Sequence, residues 1–166
     1  RALREIADLV VDTSITSVPV LRGTLERAVG AEVAQTTRIT LLSFGYKYGL
    51  PMDSDLVVDV RFLPNPFWIP ELKEFTGRDE PVRDYVLTQE GAGEFVDRYL
   101  ELLRLIGAGY RREGKRYLTV SVGCTGGKHR SVAISEEIAR RLRAAGGGPD
   151  GEHISVNVVH RDLGRE

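Results

Sequence analysis

The chain has 166 residues, 42% hydrophobic and 28% charged, an ordinary globular composition that excludes a disordered or low-complexity tract. Lys and Arg number 23 against 24 Asp and Glu, and the resulting net charge of −1 argues against a bulk nucleic-acid binder while leaving a local basic patch open. The single cysteine permits no internal disulfide and fits a reducing, cytoplasmic setting; no apolar run reaches membrane-span length and none reads as a secretory signal.

The chain opens at Arg1 inside a helical pattern, so it reads as a piece of something longer. Ala2, Leu3, Ile6, Leu9 and Val10 recur at helical spacing, and Asp8 to Val11 could turn into a short strand. Pro19 suits the first turn of a helix whose apolar stripe is Leu21, Leu25, Ala28 and Val29, with Gly30 as its stop. These elements cannot build a core alone. Residues 1–35 are expected to be the tail end of a missing N-terminal domain or a linker, and residues 36–166 the ligand-sensing domain.

Thr36 to Ser43 is β-branched and apolar, which predicts a strand leading into Phe44-Gly-Tyr-Lys-Tyr-Gly49. Leu56 to Phe62 predicts a second strand, with Asp59 and Arg61 inside it; buried charges are costly unless paired or used. Leu63-Pro-Asn-Pro-Phe-Trp-Ile-Pro70 carries three prolines and the only tryptophan, and predicts a stiff loop without regular structure. A helix starts near Gly77-Arg-Asp-Glu-Pro81. Phe95, Tyr99, Leu102, Leu103 and Ile106 mark a longer one that ends by Gly107 or Gly109. Leu118 to Val122 predicts a buried strand and Ser131 to Leu142 an amphipathic helix, stopped by Gly146-Gly-Gly-Pro149. Ile154 to Val159 is the last strand, followed by His160-Arg-Asp-Leu.

Strands alternating with helices predict an α/β layered domain, a central sheet flanked by helices, with its ligand site at the strand carboxyl ends. Those ends carry Tyr46-Lys47, Arg61, Cys124 to Arg130 and His160-Arg161, all polar or basic. Between the strand at Leu118 and the helix at Ser131, Gly123, Gly126 and Gly127 let the backbone turn sharply and approach a ligand closely. The unpaired N–H groups at the helix start, its dipole, and Lys128, His129 and Arg130 would then converge on one spot. That spot suits an anion, and a phosphate fits best.

Four readings of this loop compete. A nucleotide-binding P-loop needs four residues before Gly-Lys and a Ser or Thr after it; here three residues separate Gly123 from Gly127 and His129 follows Lys128, so it is rejected. Cys124 and Arg130-Ser131 match the spacing of cysteine-dependent phosphatases, with a thiolate nucleophile at Cys124, an oxygen-gripping Arg130, and a general acid from Asp53, Asp79 or Asp84. A third reading binds a phosphorylated metabolite without chemistry. The fourth is purely structural: Cys124 packs as a small hydrophobe, the glycines make a tight turn, and Arg130 pairs with Asp59.

Longer blocks resemble a family. Ser43-Phe-Gly-Tyr-Lys-Tyr-Gly49, Asp59-Val-Arg-Phe-Leu-Pro-Asn-Pro66 with Trp68, Thr76-Gly77-x-Asp79, Val122-Gly-Cys-Thr-Gly-Gly-Lys-His-Arg-Ser-Val132 and His160-Arg161 are together similar to the C-terminal half of the RapZ/YvcJ family of bacterial nucleotide-binding proteins. The resemblance implies a sensor of glucosamine 6-phosphate or a related amino-sugar phosphate, regulating amino-sugar and envelope-precursor metabolism. It implies no cofactor in this half, and ATP or GTP with Mg²⁺ in a missing N-terminal P-loop domain. It further implies an RNA-binding adaptor role in enterobacteria, self-association, and no membrane partner.

By matching position, Lys47, Arg61, Thr125, Gly126, Gly127, His129 and Arg130 are expected at the sugar phosphate, joined by Cys124, Lys128 and Ser131 of the same loop. Tyr46 and Trp68 are expected against the sugar ring, with Asp59 or Asn65 reading its polar groups. Phe67 stands where enterobacterial members have a histidine. The ending Asp162-Leu-Gly-Arg-Glu166 replaces their basic tail, which speaks against RNA binding. Arg111, Arg112, Lys115, Arg116, Arg140, Arg141 and Arg143 are read as a solvated helix surface.

Overall fold

The computed structural model describes residues 36–146 and 153–165, together with Val10, Val11, Ser14 and Leu21. The helices and short strand expected before residue 36 otherwise lie outside the described residues, as does Gly147-Gly-Pro149. Four parallel strands, β1 (Thr37–Gly45), β2 (Leu56–Asp59), β3 (Tyr117–Cys124) and β4 (Ile154–His160), form one sheet in the order β2-β3-β1-β4. Four helices accompany them: α1 (Pro70–Lys73), α2 (Glu80–Leu87), α3 (Ala92–Arg112) and α4 (Arg130–Ala144). This is the α/β layered fold that the alternation predicts.

Register follows from which side chains can be buried. Leu56, Val120, Leu41 and Val158 lie side by side across all four strands, and Val58, Val122, Ser43 and His160 form the next row toward the carboxyl ends. Leu41, Val120 and Val122 are fully buried and join Ile134, Ile138 and Ala139 of α4 in a single core cluster. A one-residue slip would carry each strand's apolar set to the opposite face, so this pattern pins the register. Ser43 and His160 are the polar members of the second row. They satisfy each other, Ser43 Oγ lying 2.8 Å from His160 Nδ1, while Nε2 meets Glu136 Oε1 of α4 at 3.0 Å.

Three expectations need correction. β2 ends at Asp59, not Phe62: the Asp59 carboxylate accepts the Arg61 N–H at 2.8 Å and turns the chain, leaving Arg61 outside the strand. The proline-rich stretch is not free of regular structure, because Pro66 opens a 3₁₀ turn over Pro66–Trp68 and Pro70 opens α1. At the first helical position a missing N–H costs nothing. α3 runs through Gly107 and Gly109 to Arg112 and stops before Gly114, whose φ of 72° is the left-handed stop the earlier glycines were expected to provide.

Candidate functional site

The loop from Cys124 to α4 is built backbone against backbone. Gly127 has a φ of 81°, and a Cβ there would meet the Gly45 nitrogen at 2.8 Å. A Cβ on Gly45 would sit 2.5 Å from the Gly126 carbonyl carbon, so the paired ends of β1 and β3 tolerate only glycine at these points. The Cys124 thiol is buried under the loop, accepting the Gly127 N–H at 3.3 Å and lying 3.1 Å from Ser131 Oγ. Arg130, only 4% exposed, donates from Nη1 to the carbonyls of Arg61 (3.1 Å) and Leu63 (2.9 Å), and from Nη2 to Thr125 Oγ1 (3.1 Å). Its buried Nε has no hydrogen-bond partner among the described residues. Burial holds this guanidinium below the ordinary arginine range, offset in part by Cys124 and Asp59. It still remains protonated at any working pH.

The facing wall is the segment from Leu63 to Gly77. Lys128 Nζ donates to the Lys73 carbonyl at 3.1 Å, and His129 Nε2 donates to the same oxygen at 3.3 Å. At its far end Gly77 N–H donates to the Lys128 carbonyl at 2.9 Å. A Cβ on Gly77 would lie 2.2 Å from the His129 carbonyl oxygen, so this contact too needs glycine. Asp79 shapes the turn by accepting the Thr76 N–H (2.7 Å) and hydroxyl (2.8 Å), and these bonds hold its carboxyl below the usual range. Between loop and wall lies a pocket of about 440 Å³, lined by Lys47, Asn65, Phe67, Trp68, Lys73, Glu74, Cys124, Thr125, Gly126, Lys128, His129 and Arg130.

The sequence model described as the RapZ C-terminal domain matches residues 37–164, nearly the whole span of this fold and all of the pocket. The chain belongs to the RapZ C-terminal domain family. It is 66% identical over 164 residues to a nucleotide-binding protein of Saccharopolyspora erythraea, covering 99% of this chain and 54% of that protein. It is 60% identical over 166 residues to a nucleotide-binding protein of Streptomyces coelicolor (100% and 53%), and 59% identical over 164 to one of Mycobacterium avium (99% and 54%). The chain thus spans about half the length of the curated relatives it matches.

Within this RapZ-type domain, the pocket gathers Lys47, Asn65, Trp68, Cys124, Thr125, Gly126, Lys128, His129 and Arg130 from the residues singled out in the sequence. Gly127 and Ser131 lie behind it, holding the thiol. Tyr46, Asp59 and Arg61 are not among its lining residues. Arg61 instead forms a bidentate pair with Asp59, closest at 2.6 Å, and stacks on the Tyr46 ring at 4.0 Å. The Arg61 hydrogen bonds outweigh desolvation and hold the Asp59 carboxyl below its usual range. The purely structural reading paired Asp59 with Arg130; the structure gives that carboxylate to Arg61, and Arg130 turns to backbone carbonyls. Asp53, Asp79 and Asp84 also lie outside the pocket lining.

Sequence reasoning missed Phe67, Lys73 and Glu74 as lining residues, and Asp162 as a support. The proline-flanked Phe67-Trp68 pair carried a usable signal; Lys73 and Glu74 came into view only with α1. Asp162 is fully buried. It accepts the Gly45 N–H at 2.8 Å, Arg161 Nη2 at 2.7 Å and Arg165 Nη1 at 2.9 Å, while Arg161 Nη2 also donates to the Gly49 carbonyl at 2.7 Å. These bonds tie the segment after β4 to the end of β1, beneath Lys47. Among the described residues, no three His, Cys, Asp or Glu side chains cluster as a metal would require, and no helix is long and apolar enough to cross a membrane.

Proposed function

We propose that this domain is the ligand-sensing half of a nucleotide-binding regulatory protein, and that its pocket takes an amino-sugar phosphate such as glucosamine 6-phosphate. The observation that carries this reading is the pairing of unlike walls across one pocket. On one side stand the Thr125–Gly126 backbone with Lys47, Lys128, His129 and Arg130; on the other stand Glu74, Asn65 and the Phe67-Trp68 pair. The cationic wall suits a phosphate. Glu74, the one carboxylate of the lining, suits an ammonium group, and the aromatic pair, with Trp68 78% exposed, suits the apolar face of a sugar ring. Asn65 supplies an amide for hydroxyl groups. The nucleotide, ATP or GTP with Mg²⁺, belongs in this reading to the half of the relatives that the chain does not span, and the bound metabolite would regulate amino-sugar and envelope-precursor metabolism through it.

One observation favours a second reading, phosphomonoester hydrolysis by Cys124: Ser131 Oγ and the Gly127 N–H both address the thiol, as activation of a nucleophile requires. Glu74 is the acid within the same pocket, since Asp53, Asp79 and Asp84 are elsewhere. RNA binding draws less support, because Lys115 pairs with Asp55 while Arg140 and Arg141 pair with Glu137.

Calorimetric titration with glucosamine 6-phosphate, glucosamine and inorganic phosphate tests the first reading. Saturable binding of the sugar phosphate, at least tenfold tighter than either fragment and lost in Arg130→Ala, is expected. Equal binding of phosphate alone reduces the site to a generic anion cradle. Phosphate release that disappears in Cys124→Ser would install the second reading instead.

A further inference from the structure

We propose that residues 64–76 are a strap latched shut by the same cations that bind the phosphate, so that ligand entry unlatches it. The proposal rests on the anion-binding reading of the pocket. Three consecutive residues of the loop, Lys128, His129 and Arg130, spend side-chain donors on carbonyl oxygens of this one segment and its root: Lys73 O receives Lys128 and His129, and Leu63 O receives Arg130. These are neutral acceptors. A phosphate oxygen is charged, and hydrogen bonds to it are roughly twice as strong, so phosphate and Lys73 carbonyl compete for the same donors.

The competition is unequal at the two ends. Arg130 is buried and has a spare Nε, so it can hold Leu63 while facing a ligand. Gly77 is fixed through its own N–H on the Lys128 carbonyl, a bond that needs no side chain. The roots of the strap at Leu63 and Gly77 therefore stay in place. The middle does not: its tie to the loop is the Lys73 carbonyl, and the donors there are an exposed lysine tip and a histidine that both line the pocket. Pro64, Pro66 and Pro70 stiffen the segment, so it moves as a piece. That piece carries Phe67, Trp68 and Glu74, the whole wall facing the loop. Occupancy of the pocket would thus be written on the protein's outer surface by the position of Trp68, 78% exposed already.

Trp68 is the only tryptophan of the chain, so its emission reports on the strap alone. The experiment follows Trp68 emission and acrylamide quenching while glucosamine 6-phosphate is titrated into the wild-type chain and Lys128→Ala, with calorimetry on the same samples. Hydrogen exchange of residues 64–76 is measured without ligand in both. The wild type should show a saturable emission change whose midpoint matches calorimetry. Lys128→Ala should exchange at least threefold faster over 64–76 before any ligand is added, with less than half the ligand-induced change. Calorimetric binding without a change in Trp68 overturns the strap and leaves the anion-binding reading standing. Absence of calorimetric binding overturns that reading, and the strap falls with it if Lys128→Ala also leaves exchange over 64–76 unaltered.

Discussion

Asp162 shows how a residue outside the pocket can decide whether the pocket exists. It is a carboxylate with no exposed surface, and desolvation alone would raise its pKa; hydrogen bonds from Arg161 and the Gly45 N–H, with the Arg161 charge, outweigh burial and hold it below the usual range. Between that lowered value and the ordinary aspartate value of about 4, the unfolded chain binds the extra proton. The stabilisation is therefore fully present above about pH 4 and is lost as the pH falls through the lowered folded value. Asp162→Asn leaves Arg161 and Arg165 unpaired, but both reach solvent, so we expect a cost of about 1–3 kcal/mol at neutral pH rather than that of a wholly buried pair. Thermal unfolding of both chains from pH 7 to pH 2 checks it: the Tm gap should be constant above about pH 5 and close on the acid side. A gap independent of pH would mean that Asp162 acts by shape and not by charge.

At the level of elements, glycines divide into those that permit contact and those that are merely tolerated. Gly45, Gly77 and Gly127 face backbone atoms at 2.2 to 2.8 Å from an added Cβ, and all three meet at the anion loop. Gly107 and Gly109 in α3 face nothing nearer than the arginine tips at 3.6 and 3.8 Å. Gly107→Ala should accordingly stabilise the domain by about 0.5–1 kcal/mol, read as a rise in Tm, since only helix propensity and unfolded-state entropy are at stake. Destabilisation would reveal a neighbour against that face. The same distinction explains what the sequence disclosed at this scale. The strands were legible because Leu41, Val120 and Val158 alternate or run β-branched, and α4 because its apolar stripe has helical period. The end of α3 was not, because a glycine in a helix and a glycine after one look alike until the chain's φ is known. Nor were the turns at Pro66 and Pro70, since proline forbids a helix interior yet favours its first position.

For the whole molecule, parallel order β2-β3-β1-β4 brings every strand's carboxyl end to one edge, and that edge carries the loop after β1, the segment after β2, the anion loop after β3 and the clamp after β4. Chemistry at strand ends was readable from residue types alone, so Lys47 and the Cys124–Arg130 loop stood out. What composition could not settle was which basic groups were already spent. Arg61 looks like Arg130 in sequence, yet one lies on a half-exposed Asp59 and the other is buried behind the pocket. Pairing is a three-dimensional fact, and it separates residues that bind from residues that brace. The central claim is that the pocket between the loop and the Leu63–Gly77 wall is where a phosphomonoester sits. The measurement that meets it most directly is a ¹H–¹⁵N correlation titration of the wild-type chain with glucosamine 6-phosphate. The account predicts saturable shifts concentrated at the backbone amides of Thr125 to His129, with smaller ones at Lys47 and Trp68. Shifts centred instead on the arginine-lined hollow of Arg78, Arg83, Arg140 and Arg143, or an unperturbed loop at saturating ligand, would contradict it.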